Sequence, residues 1–318
     1  TVNVNIQPAI LNWALDQTNE EKLGKKLAEN IKHWLDGSKC PTFNQIEEFS
    51  KKTHIPIGYF FLQTPPKDQV NLLEYRTVDS LDLANPSRDL LDTIHEMEIV
   101  QEWMADYKKE LYYDKVTFIG SLNEITDINV IVNKIRMDLG LDLEWYKECE
   151  SCSKAFNKVR GLLEECGVLV MINGIVGKNT HRALNLNEFR AFAMVNEWAP
   201  LIFINGADSA GGRLFSLFHE LIHLWIGKDD LYNDRKYSLG GTKPLEIICN
   251  AVAGELMVPS EKFIESWKSN TNDDVYEKIK ELSKIFRCSE SVIARRALDN
   301  KRIAKDVYDK VIDYGIEA

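Results

Sequence analysis

The distribution of apolar residues along the chain predicts a mostly helical protein with a few short strands. Residues 89–113 carry apolar side chains at intervals of three and four, the pattern of one long amphipathic helix. The run from Leu214 to Ile226 is apolar on nearly every side, which is typical of a buried helix. Further helices are predicted at residues 8–16, 19–27, 31–36, 41–52, 128–139, 145–165, 273–286 and 289–297. Short apolar runs predict strands at residues 167–171, 190–195 and 201–205.

These elements indicate an α+β fold that is mostly helical, in which a small β-sheet packs on the buried helix. We expect a helical head at residues 1–75, a helical connector at 76–165, and a domain with the sheet and a helical tail at 166–318. A chain of 318 residues is long enough for two domains and a substantial core.

Composition and charge narrow the class of protein. The formal net charge of −10 argues against broad, non-specific binding to nucleic acid. No run of about 18 apolar residues is present, so no membrane span is expected, and the first residues show no secretory signal. The six cysteines are scattered and do not indicate a disulfide framework, while the single C-x-x-C pair, Cys149 and Cys152, fits two positions on a helix. We therefore expect a protein of the reducing cytoplasm.

The buried helix contains the pattern H-E-x-x-H, formed by His219, Glu220 and His223. Residues four apart on a helix leave the same face, so both imidazoles can bind one tetrahedral metal ion. Glu220 lies beside the first of them, where its carboxylate can take a proton from a water activated by the metal. The motif therefore indicates a metal-dependent hydrolase.

The third metal ligand decides which class of hydrolase this is. The continuation H-x-x-G-x-x-H fails, because Asp229 stands at the position of the third histidine. A later helix instead places Glu246 and Asn250 four apart on one face, so Glu246 would bind the metal and Asn250 would hydrogen-bond a ligand imidazole. Other possible third ligands are His181, Asp229, Asp230 and Asp234. Zn²⁺ suits two histidines and one carboxylate, and Mn²⁺ would also fit.

Three blocks in this order resemble the ImmA/IrrE metallopeptidases. They are residues 190–205, the H-E-x-x-H helix, and residues 246–259, which follow the family's E-x-x-A-N-x-F-A-x-x-L-M-P with exchanges at Cys249 and Val252. The resemblance covers about residues 160–300. It implies a gluzincin-like zinc endopeptidase whose substrate is a regulatory protein, such as a repressor or an antitoxin.

The head resembles the helix-turn-helix domain of the XRE regulators, which is often fused to such peptidases. The head consists of short predicted helices, and the motif W-x-x-G-x-x-x-P-T precedes the fourth of them. Residues 1–65 nevertheless contain seven Lys against seven Asp and Glu and no Arg, the side chain that most often reads bases. This charge pattern favours packing or partner docking over DNA binding, although both alternatives stay open.

Three further residues are candidates for stabilising a transition state. Tyr232 and Tyr237 lie in the loop after the metal helix, from which a hydroxyl could hydrogen-bond a tetrahedral intermediate. His181 lies in a polar stretch before the second strand and could polarise a carbonyl, or could be a surface histidine.

The sequence therefore predicts metal-dependent hydrolysis of a protein substrate or regulatory partner, which would be encoded nearby. The alternative is a transcriptional regulator or toxin–antitoxin component that acts by binding protein or DNA. In that case the metal site would be structural or idle.

Overall fold

The computed structural model describes residues 2–18, 23–66, 86–123, 125–228, 230–232 and 244–317. The chain is α+β and mostly helical, as its hydrophobic pattern predicts. Within the described ranges, no helix is both long and apolar enough to cross a lipid bilayer.

The described residues of the head form three short helices around a core of their own. They are α1 (Pro8–Asp16), α2 (Lys25–Leu35) and α3 (Phe43–Thr53), and a 3₁₀ turn follows at Ile57–Phe61. Thr42 starts α3 with a reciprocal capping box, because its side chain accepts from the backbone of Gln45 and the Gln45 side chain accepts in return. The buried residues form a cluster separate from the rest of the protein, made of Ile6, Ile10, Leu11, Ala14, Leu23, Leu27, Ile31, Trp34, Ile46, Phe49, Ile55 and Phe60.

One expectation for the head is wrong. Residues 25–35 form one continuous helix, where two short helices were expected. Leu27, Ile31 and Trp34 line a single buried face, and no Gly or Pro interrupts the chain between them. The first residues of the helix expected at 19–27 lie outside the described residues.

The described residues of the connector form three helices: α4 (Arg88–Glu110), α5 (Ile128–Leu139) and α6 (Cys152–Glu165). The single helix expected at 145–165 is instead a 3₁₀ turn, Trp145–Glu148, followed by α6. The Ser151 side chain accepts from Lys154 N and so starts a new helix there. The buried faces of α5 and α6 belong to the same core cluster as the metal-motif helix.

A four-stranded sheet forms the centre of the remaining chain. Its strands are β1 (Leu169–Asn173), β4 (Ala191–Met194), β5 (Leu201–Asn205) and β6 (Asp230–Tyr232), in the order β1-β5-β4-β6. Strand β1 is parallel to β5, whereas β4 is antiparallel to both of its neighbours. A separate two-stranded hairpin joins β2 (Ile175–Val176) to β3 (Asn179–Ala183).

The sheet separates two hydrophobic cores, because alternate residues of a strand point to opposite faces. Ala191, Ala193, Ile202 and Ile204 belong to the larger core, which contains α7 (Ala210–Ile226), the helix with the H-E-x-x-H motif. The other face contributes Phe192, Met194, Leu201 and Phe203 to a smaller core with the buried side of α4. The larger core also receives α8 (Pro244–Met257), α9 (Ser260–Ser269), α10 (Val275–Phe286), α11 (Glu290–Asp299) and α12 (Lys305–Glu317).

The C-terminal end of α7 is held by the chain that follows α4. Gly120 N donates to Leu224 O at 3.1 Å, and Leu122 N donates to Trp225 O at 2.9 Å. Helices leave their last carbonyls without intrahelical partners. The bond from Leu122 N therefore satisfies Trp225 O, while Leu224 O accepts from Gly227 N as well, at 3.1 Å. Gly227 ends the helix in the left-handed region, with φ of 81°, and its backbone lies against Gly120.

Gly227→Ala should lower the free energy of unfolding by about 1–2 kcal/mol or more. A side chain disfavours the positive φ, and the added Cβ would lie 2.8 Å from the Gly120 Cα. Urea denaturation followed by circular dichroism measures the change. The matched control is Gly161→Ala inside α6, where the added Cβ meets no heavy atom within 4 Å, so stability should rise by about 0.5–1 kcal/mol. Equal stabilities of the two variants would contradict this account of the helix end.

Candidate metal centre

The helix that carries the H-E-x-x-H motif is buried along almost its whole length. It starts at Ser209, whose side chain accepts from Gly212 N at 3.1 Å, and it ends at Gly227. His219 and Glu220 are fully buried and His223 is 1% exposed. Polar groups in such a position are costly unless partners satisfy them, so the environment of these side chains has to supply partners.

The next helix along the described chain supplies a carboxylate to both histidines. Glu246 lies in the first turn of α8, and its Oε2 is 3.1 Å from His219 Nε2. Its Oε1 is 3.7 Å from His223 Nε2. The two imidazole Nε2 atoms lie 3.3 Å apart. Four donor atoms from two helices therefore converge on one small volume.

These separations match the requirements of a tetrahedral metal ion. Ligand bonds of about 2.0–2.1 Å at tetrahedral angles place neighbouring donor atoms roughly 3.3 Å apart. His219, His223 and Glu246 each offer one ligand atom, and these atoms all lie within 4.8 Å of one another. The three residues therefore form a group that could hold a metal ion, with a donor set of two nitrogens and one oxygen.

Asn250 controls the orientation of the first histidine. It lies one helical turn after Glu246, and its Oδ1 is 3.0 Å from His219 Nδ1. With Oδ1 as the acceptor, Nδ1 carries the proton and Nε2 presents its lone pair to the Glu246 side. The Glu246–Asn250 spacing thus allows one helix face to contact both ring nitrogens of His219.

Side chains from three distant segments hold the C-terminal end of α8. Arg136 Nη2 donates to Glu255 O and Leu256 O at 3.2 and 3.3 Å, and Trp145 Nε1 donates to Leu256 O at 3.0 Å. Arg296 forms an ion pair with the Glu255 carboxylate. Burial raises the pKa of Glu255, but Arg296 and the bonds from Ser260 outweigh it, so the net shift is downward. This network fixes the helix that positions Glu246.

Sequence reasoning missed this network. Arg136 and Trp145 lie more than one hundred residues before the carbonyls they contact, and no motif marks them. No motif marks Asp138 either, whose carboxylate accepts from Trp225 Nε1 at 2.8 Å, 87 residues away, and ties α5 to α7. No local pattern in the sequence signals contacts of this kind.

The structure does not bring the remaining candidates into the metal group. His181 is exposed on β3 of the separate hairpin. Asp230 and Tyr232 lie in the edge strand β6, and only their backbone placement is described. Tyr237, Asp229 and Asp234 lie outside the described residues. Among the described residues, His219, His223 and Glu246 are the group that could hold a metal.

Comparison with known proteins assigns part of this chain to a class. Residues 163–298 match the family model of the IrrE N-terminal-like domain (Peptidase_M78), a metal-dependent peptidase class. The matched range includes the four-stranded sheet, α7 and α8, so this region is similar to the domain of the ImmA/IrrE family. Neither the curated proteins nor the solved structures contain a match to the chain.

Removal of either histidine should abolish metal binding. Purified protein should carry about one divalent ion per chain, and His219→Ala or His223→Ala should lose it, because two ligands do not hold such an ion tightly. Elemental analysis of the dialysed proteins measures this. His181→Ala is the matched control and should keep the metal, since this histidine is exposed on the hairpin. Full metal content in both α7 variants would rule out the site.

Loss of the amide at Asn250 should weaken metal binding without abolishing it. Asn250→Ala removes the acceptor for His219 Nδ1, and the loss of such a partner typically costs about 10- to 100-fold in metal affinity. Competition with a chromophoric chelator measures the affinity. Asn250→Asp keeps an oxygen acceptor and should retain tight binding. If Asn250→Ala binds as tightly as the unmodified protein, Asn250 does not orient the ligand.

Proposed function

We propose that this protein is a zinc-dependent endopeptidase that cleaves a regulatory protein, such as a repressor or an antitoxin, in the cytoplasm. The observation that carries the proposal is the convergence of His219, His223 and Glu246, with donor atoms 3.1–3.7 Å apart beside the buried Glu220. The match of residues 163–298 to a peptidase family supports it.

The ligand number favours a catalytic site over a structural one. Structural zinc sites usually have four protein ligands, whereas catalytic sites use three and leave one position for water or substrate. The group of described residues has three members. Zn²⁺ suits this donor set, and Mn²⁺ would also fit. When bound, the ion supplies Lewis-acid stabilisation of the charge that develops on the attacked carbonyl.

Glu220 is the proposed general base. It follows the proposed ligand His219 directly in α7. Its side chain is fully buried, so the residues packed around it restrict its position. Its carboxylate would take the proton of the attacking water and pass it to the leaving nitrogen. Asn250 would keep His219 in the tautomer that binds metal.

The sheet offers a way to present an extended substrate. Strand β6 forms an edge of the sheet and pairs only with β4 among the described strands. A peptide could add to this edge as one more strand, which gives affinity through backbone hydrogen bonds and requires no deep pocket. Tyr232, Tyr237 and His181 stay candidates for stabilising the transition state.

The head is proposed as a docking or packing unit. It has a core of its own, and its charges balance within residues 1–65 without any arginine. DNA binding through a helix-turn-helix stays the alternative role for this part of the chain, and would require a basic face that the composition does not favour.

Glu220→Gln should keep the metal and the fold but reduce cleavage by about 10²–10⁴-fold, the usual effect of losing a general base. Glutamine preserves size and leaves the ligands unchanged, but it cannot accept the proton. The measurement is cleavage of the protein encoded next to this one, or of its repressor, in cells that express either form. Glu150→Gln, an exposed carboxylate before α6, is the control and should cleave normally.

The same comparison tests the alternative function. A protein that acts only by binding would show identical cellular effects for the unmodified chain and for Glu220→Gln. That result would overturn the proposed peptidase activity and identify a binding regulator built on a peptidase scaffold. Intact substrate bound equally well by Glu220→Gln, with cleavage only by the unmodified chain, would support catalysis.

A further inference from the structure

Helix α4 has an outward side that differs from an ordinary solvated helix face. Its buried side packs on the sheet through residues such as Leu90, Ile94 and Met97. On the opposite side, Ile99, Trp103 and Tyr107 follow one another at intervals of four residues and are 67%, 64% and 44% exposed. Leu111 continues the apolar row beyond the helix end at 52% exposure.

A row of large exposed aromatic side chains on one helix face indicates an interaction site. Contiguous apolar patches on a soluble protein mark interaction sites, whereas single exposed apolar residues are common. Trp and Tyr contribute a large share of binding energy in protein interfaces. The rings of Trp103 and Tyr107 already stack, with centroids 5.6 Å apart and planes at 13°. Because this pair is ordered in advance, a partner would pay less conformational entropy on binding.

Carboxylates surround the aromatic row. Glu102, Asp106 and Glu110 are all exposed on α4. Lys109 offsets one of them through its ion pair with Asp106. Lys108 does not contribute to the outward face, because its ammonium group donates to Gly167 O and Trp198 O beside the sheet. We call the six residues Ile99, Glu102, Trp103, Asp106, Tyr107 and Glu110 the acidic aromatic face.

We propose that the acidic aromatic face is a docking surface for a basic amphipathic segment of a protein partner. A Lys- or Arg-rich helix with one apolar side would bury Ile99, Trp103 and Tyr107 and place its cations against the flanking carboxylates. Cations close to the exposed Trp103 and Tyr107 rings would gain further stabilisation from the aromatic faces.

The charge excludes the other common occupants. Anionic lipid surfaces and nucleic-acid phosphates are repelled by a face with three carboxylates, of which Lys109 offsets only the one on Asp106. A second copy of the chain, docked through the same face, would bring those carboxylates against an identical set. A basic partner is the occupant whose charge complements the surface.

The docking surface is separated from the metal centre. Helix α4 packs on the face of the sheet that carries Phe192 and Phe203, whereas α7 packs on the opposite face. Docking therefore goes beyond the proposed peptidase activity and can be measured without it. The test uses the full chain with Glu220→Gln, so that no peptide is cut and the result does not depend on catalysis.

The probes are two synthetic amphipathic helical peptides with the same leucine positions, one with lysine and one with glutamate at every polar position, each labelled with fluorescein. Fluorescence anisotropy titrations give their dissociation constants. The lysine peptide should bind and the glutamate peptide should not. Raising the ionic strength from about 0.05 M to about 0.3 M should weaken binding of the lysine peptide, since exposed charges are screened.

Variants locate the binding to this face. Trp103→Ala should weaken the lysine peptide about tenfold or more, the scale of an interface anchor, while Tyr276→Ala on α10, another exposed aromatic beside acidic residues, should have no effect. The double variant with Glu102→Gln and Glu110→Gln should weaken binding of the lysine peptide roughly three- to tenfold and reduce its salt dependence. The matched pair Glu150→Gln and Glu165→Gln removes the same charge elsewhere and should leave binding unchanged.

Two results would overturn the proposal. The first is that the lysine peptide binds the protein with and without Trp103→Ala equally well, or that the lysine and glutamate peptides bind equally well. The second is a dimer, seen by light scattering, that Trp103→Ala dissociates, because a second copy would then be the occupant. Circular dichroism and metal content of each variant confirm that fold and metal centre are intact, so loss of docking and loss of the peptidase site are told apart.

Discussion

The burial of His219, Glu220 and His223 in an apolar helix is the constraint on which the rest of this structure depends. Ionisable groups in such a place are tolerated only with well-placed partners. Helix α8 provides them, because Glu246 faces both Nε2 atoms and Asn250 faces His219 Nδ1. The position of α8 relative to α7 is therefore as important to the site as the motif itself.

That position is maintained at the far end of α8, away from the metal ligands. The last carbonyls of the helix accept from Arg136 and Trp145, and Glu255 pairs with Arg296. Each of these groups is contributed by a different segment, so connector, 3₁₀ turn and C-terminal helices all contribute to one ligand helix. The region that matches the peptidase family model, residues 163–298, thus depends on side chains that precede it.

The two faces of the sheet carry separate hydrophobic cores. One face carries the core around α7 and the candidate metal ligands, and the other carries the core under α4. A surface on the outward side of α4 can therefore acquire partners without altering the geometry near Glu220.

Local periodicity was sufficient to identify the elements that carry the site. The four-residue spacing of His219 and His223, and of Glu246 and Asn250, follows from helix geometry alone, and strands β4 and β5 follow from their apolar runs. Local pattern failed in placing two of the helix boundaries. It divided the continuous α2 into two helices, and it joined α6 to the 3₁₀ turn that Ser151 separates from it.

Only the tertiary structure decided which of these elements meet. The strand order β1-β5-β4-β6, the Trp225–Asp138 bond and the contacts of Arg136 with α8 all join residues far apart in the chain. The tertiary structure also decided that Ile99, Trp103 and Tyr107 are exposed. Periodicity shows that α4 is amphipathic, but it does not show which of its apolar residues the sheet covers. Such contacts depend on how whole surfaces pack together. A periodic pattern in one segment does not indicate which other segment packs against it.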